Sequence, residues 1–135
     1  MRNNQKIPAL ILRIAMGINF LGHGLVRFPT LSGFKTWMQD AFAGSLMPIG
    51  LVGVWASILP FLEFGIGVLL ITGLFIRFAL YAGSFLLICL VLGSCLIEKW
   101  EWAGIQMIYI LFIHFILNNA EMKYLSIDHF LKRNH

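Results

Sequence analysis

Glu63 is the side chain that needs explaining first. It is the one charged residue in the apolar run from Leu51 to Ile76, and a run of that length crosses a bilayer, which takes ~20 mostly apolar residues. A carboxylate at membrane depth costs ~2.5–3.5 kcal/mol on insertion scales, so it has a partner, a proton or a task. The preceding apolar segment offers Arg13, Asn19, His23 and Arg27. On a helix, Asn19, His23 and Arg27 fall within one ~80° sector, with Arg13 only ~40° beyond. Counting ~1.5 Å of rise per residue from the inner membrane face puts Arg13 at roughly 9 Å, Glu63 at roughly 16 Å and His23 at roughly 24 Å. Glu63 is then within reach of either. Two readings follow. In one, Arg13 and Glu63 form a structural ion pair that fixes helix register. In the other, an outward-facing polar pocket is floored by Glu63 and walled by His23, Arg27, Gln106 and Tyr109. Glu63 and His23 would be its catalytic proton carriers, and Arg27, Gln106 and Tyr109 its ligand-binding groups. Such a pocket suits the carbonyls of a quinone head group or a proton relay.

Other chemistry finds no foothold. The two cysteines, Cys89 and Cys95, are separated on a helix by roughly 9 Å of rise and ~120° of rotation, too far for an unstrained disulfide. They match neither a redox pair nor a zinc spacing and read as small buried residues. His114 lies roughly 9 Å deeper than His23, so the two do not face each other as haem ligands. No metal-ligand cluster, Walker loop, dinucleotide fingerprint or nucleophile–base set is present. Basic residues do not alternate with surface aromatics, and a nucleic-acid partner is not expected.

The elements that position Glu63 are membrane spans. The chain has 135 residues, 59% hydrophobic and 12% charged, about half the charge of a soluble domain. Four apolar segments, at about 7–28, 51–74, 78–97 and 103–117, predict a single integral membrane domain over residues 1–135, an all-α antiparallel four-helix bundle. MRNNQK followed by Ile7–Leu12 resembles a leader, but Arg13 interrupts it and no small-x-small site follows, so it reads as a retained first span. Between the first two spans, Phe34–Phe42 has apolar residues at helical spacing and predicts a short interfacial helix. Pro60 predicts a kink one turn before Glu63. The pairs Gly17/Gly24, Gly53/Ser57 and Ala79/Gly83 offer close helix contacts. A second interfacial helix is expected to start near Ser126.

Four spans leave both termini on one side. Arg2, Lys6, Arg77, Lys123, Lys132 and Arg133 lie at that end, against Arg27, Lys35 and Lys99 at the other. The positive-inside rule therefore predicts cytoplasmic termini. Trp37, Trp55, Trp100 and Trp102 then form a belt at the outer interface.

With these residues in view the chain resembles the DoxX family. The likeness runs through Arg13, Gly17, Phe20, His23-Gly24 and Arg27, then Pro48, Glu63, Gly67, Gly73-Leu74, Arg77 and Ala79, and ends at Leu125-Ser126-Ile127-Asp128. It covers nearly the whole chain. The resemblance implies a small four-helix protein of the bacterial inner membrane, linked to quinone-dependent sulfur and terminal oxidation. Relatives often carry a histidine near the end of the third span, where this chain has Ser94-Cys95. An acidic residue often opens their fourth, where this chain has Gln106. A Gly-Pro-Gly turn before the final Ser-x-Asp is replaced by Asn118–Tyr124. Three roles are compatible with these features: a subunit of a quinone-linked oxidoreductase working with a redox partner and carrying no intrinsic cofactor, a non-catalytic accessory or assembly subunit of a larger membrane complex, or a small transporter or proton conduit.

Overall fold

The computed structural model describes residues 2–119 and 121–134. Four helices are long and apolar enough to cross a membrane. They are α1 (Lys6–Arg27), α3 (Ile49–Thr72), α4 (Ile76–Leu96) and α5 (Trp100–Leu117), with the shorter α2 (Leu31–Ala41) between the first two and α6 (Ile127–Arg133) at the end. Packing of α1 on α3, α3 on α4, α4 on α5 and α5 on α1 closes an antiparallel four-helix bundle. No strand occurs among the described residues.

The surface is inverted relative to a soluble protein. Ile11, Ile18 and Leu25 on α1, Phe61 on α3, Phe85 on α4 and Leu111 on α5 are all exposed, while Arg13 and Glu63 are buried. An apolar surface this extensive requires lipid around it. Because lipid tails are as apolar as leucine, association of the spans depends on close packing of small residues. That packing is densest between α1 and α3. A Cβ at Gly24 would lie 2.5 Å from the Pro60 carbonyl oxygen and 2.7 Å from the Phe64 nitrogen. One at Gly17 would lie 3.1 Å from the Ile71 nitrogen, and Gly67 sits against the Leu21 backbone. These contacts fix the register of the two helices: Gly24 is level with Pro60–Phe64, and Gly17 with Gly67–Ile71. The other two expected pairs work differently. Gly83 makes room for Phe20 and Ile113, whereas the nearest neighbours of Gly53 are Gln39 and Lys35 of α2.

Pro29 lacks the N–H that would continue α1, so the chain passes through a 3-10 turn, Phe28–Thr30, into α2. Met38 is buried beneath α2, while Lys35, Thr36 and Asp40 face outward. The helix lies across the end of the bundle, held by Trp37 against Trp102 at 5.9 Å between ring centroids. Pro60 is accommodated within a continuous α3. The fourth span begins at Trp100, three residues earlier than its hydropathy suggests.

Candidate functional site

The register of α1 on α3 decides which base meets Glu63. Glu63 lies between Pro60 and Phe64, level with Gly24, and Arg27 is about one turn further along α1. Helical side chains lean toward their own N-terminus, so Arg27 reaches back to that level. There its guanidinium donates to the Glu63 carboxylate, and the two form an ion pair, the one found among the described residues. Arg27 also lies over the Phe34 ring, 4.4 Å from its centroid, a cation–π contact that ties the pair to α2.

Arg13 is not the partner of Glu63, contrary to the expected structural pair. Counting depth from each segment's end assumed that α1 and α3 end together. In the bundle α1 overhangs α3 by roughly 10 Å at the terminus-bearing end, taking ~1.5 Å per residue, so Arg13 is level with Gly73. It is fully buried there and donates to the carbonyl oxygens of Met122, Tyr124 and Leu125, each at 2.9 Å. The same segment is locked to the α3–α4 turn. Asp128 accepts from the Phe75 and Ile76 nitrogens at 3.0 and 3.1 Å, capping α4, and its own nitrogen donates to the Gly73 carbonyl at 3.1 Å. Ser126 caps α6 by accepting from the His129 nitrogen at 3.1 Å. Gly73 has φ of 73° and faces Ser126, with no space for a Cβ, so both conformation and packing require glycine there.

Around the Arg27–Glu63 pair a cavity of about 600 Å³ occupies the half of the bundle away from the termini. Five residues singled out from the sequence line it together: Glu63, His23, Arg27, Gln106 and Tyr109. Leu51, Trp55 and Leu59 descend one face of α3 to Glu63, and Phe34, Trp37 and Met38 of α2 close over the top. Glu63 is about 5% exposed and Arg27 about 24%; His23 is exposed although it also borders the cavity. His114, by contrast, is on the outer surface, within hydrogen-bond distance of Asn118. Both cysteines are free, and Cys89 lies in the cavity wall.

Some of the site was not anticipated. Ser94 is buried and donates to Gln106 Oε1 at 3.1 Å, which leaves the Gln106 amide group to donate into the cavity. Ser94 and Gln106, two of the positions singled out in the sequence, are thus bonded to each other across α4 and α5. Asn19 also lines the cavity, as its shared face with His23 and Arg27 implied.

A four-span bundle with a polar pair at the base of an apolar cavity defines a small integral membrane protein. A family model described as DoxX matches residues 9–100, and the chain belongs to the DoxX family. Among curated proteins and among solved structures the comparisons find no match.

Proposed function

We propose that the protein is a subunit of a quinone-linked membrane oxidoreductase and that its cavity receives the quinone head group. One observation carries the reading: a buried Glu63 carboxylate paired with the half-buried Arg27 at the base of a cavity of about 600 Å³ with otherwise largely apolar and aromatic walls. Ligand sites are commonly of this size and kind, mostly apolar with a few convergent polar groups. The residues present suit a ring bearing two carbonyls and a long tail. Arg27, the Gln106 amide and the Tyr109 hydroxyl supply donors, Trp55 and Phe34 supply flat apolar surface, and the exposed apolar side chains of the spans offer a surface along which a chain would lie. When bound, a quinone supplies two-electron, two-proton redox chemistry. Glu63 and His23 are the groups that hold or pass protons at the cavity. For Glu63 to do so, the Arg27 guanidinium must shift part of its hydrogen bonding from the carboxylate to the ligand. Electrons come from a partner protein.

Substituting Glu63→Gln and His23→Ala tests this. Each should lower quinone-dependent turnover, counted per assembled complex, by at least ~10²-fold, the usual contribution of a positioned acid or base. Glu63→Gln also strands Arg27 and lowers stability, so His23→Ala, which breaks no ion pair, carries the test at intact assembly. Unchanged turnover in both, with no quinone retained by the wild-type protein in lipid, would leave the accessory-subunit role in its place.

A further inference from the structure

The end of the bundle that carries the termini has a second cavity, of about 320 Å³, between the α3–α4 turn and α6. Arg77, Lys123 and Lys132 line it, together with Asp128, Phe78 and Leu131. Both Asp128 oxygens are already taken by the Phe75 and Ile76 nitrogens. Among the described residues the one ion pair is Arg27–Glu63, at the far side of the bundle. Three cations therefore converge on this cavity with no carboxylate of the described residues bonded to any of them, an arrangement that favours an anion.

What surrounds the cations identifies the kind of anion. Phe78 and Leu131 are exposed beside them, at 66% and 55%. From Phe78 a stripe of exposed apolar side chains runs along one face of α4 through Tyr81, Phe85, Ile88 and Leu92. Their spacing of three and four residues keeps them on a single helix face. Phosphate-seeking cations at the start of a span, continued by an apolar track toward the bilayer interior, match a molecule with an anionic head and acyl chains. We propose that this cavity binds the phosphate head group of an anionic phospholipid, with Arg77, Lys123 and Lys132 contacting the phosphate and the chains lying on the Phe78–Leu92 face. The site is separate from the cavity above Glu63. It also bears on folding, because Lys123 and Lys132 belong to the segment that Arg13 and Asp128 hold against the bundle. A lipid bridging Arg77 to these lysines would add a further tie at the same place.

The purified full-length protein, offered an equimolar mixture of phosphatidylglycerol and phosphatidylcholine with identical chains, should retain phosphatidylglycerol preferentially by native mass spectrometry. Each basic side chain near an anionic membrane surface is worth ~5-fold in binding, so neutralising all three as Arg77→Gln, Lys123→Gln and Lys132→Gln should cut the preference ~100-fold. Arg77→Gln and Lys132→Gln, at exposed positions, should each give the ~5-fold loss singly if the triple variant fails to fold. Lys35→Gln at the opposite end should change nothing. Equal retention of the two lipids by the wild-type protein, or an undiminished preference in the folded variants, would overturn the proposal. Release of phosphatidylglycerol by millimolar inorganic phosphate would overturn it too, identifying a site for free anions and not for lipid.

Discussion

A guanidinium buried without a carboxylate must collect other acceptors, and Arg13 does so from three carbonyls of residues 122–125, whereas Arg27, on the same helix, takes the one carboxylate at membrane depth. Removing one member of a buried ion pair strands the other charge and costs ~3–5 kcal/mol, while removing both is nearly neutral. Arg27→Met and Glu63→Gln should therefore each reduce stability in detergent far more than their combination does, as a double-mutant cycle on denaturant unfolding will read. Arg13→Met and Glu63→Gln share no contact, so their losses should add to within ~0.5 kcal/mol. Additivity of the first pair, or coupling of the second, would contradict the register described above. That Glu63 needed a partner was legible from its apolar surroundings, and so was the polar face bearing Asn19, His23 and Arg27. Which arginine it meets was not, because equal helix ends were assumed where α1 overhangs α3.

At the scale of elements, register is decided by where two backbones can touch. Gly24 and Gly67 are positions where an added methyl meets backbone atoms, which cannot move aside as a side-chain tip can. Gly22 and Gly65 have nothing within 4 Å of an added Cβ. Overpacking typically costs ~1–3 kcal/mol, whereas alanine for glycine at an open helical site gains ~0.5–1 kcal/mol. Gly24→Ala and Gly67→Ala should thus destabilise the protein, and Gly22→Ala and Gly65→Ala should leave it unchanged or firmer, in the same unfolding assay. Gly24→Ala should also perturb the cavity, since Arg27 is placed on Glu63 by that contact. The spans were readable because length and hydropathy suffice to mark them, and α2 because its apolar residues recur at helical spacing. The start of α5 was obscured by Glu101 between Trp100 and Trp102, residues that suit a membrane interface and mask a helical turn. The docking of residues 122–128 was hidden for a different reason: it joins groups 52 to 112 residues apart, and no local pattern encodes such a contact.

Over the whole molecule, charge and cavity point the same way. Once Arg27 is committed to Glu63 inside the bundle, the far end presents only Lys35 and Lys99 from the basic residues counted there, while Lys6, Arg77, Lys123, Lys132 and Arg133 remain at the terminus-bearing end. The positive-inside rule counts lysines and arginines and not net charge, so the asymmetry keeps the direction read from the sequence. The Trp37–Trp102 contact lies at the basic-poor end, beside Trp100, where amphipathic rings sit at head-group level. On the reading of cytoplasmic termini, the cavity above Glu63 lies in the outer-leaflet half of the bundle and α2 covers it on the external side. Single cysteines at Lys35 and Lys99, in a background lacking Cys89 and Cys95, should react with impermeant thiol reagents in intact cells. A cysteine at Lys132 should react only after the membrane is permeabilised. Labelling at Lys132 in intact cells, with Lys35 and Lys99 protected, would invert the molecule, and the cavity would then draw its ligand from the cytoplasmic leaflet.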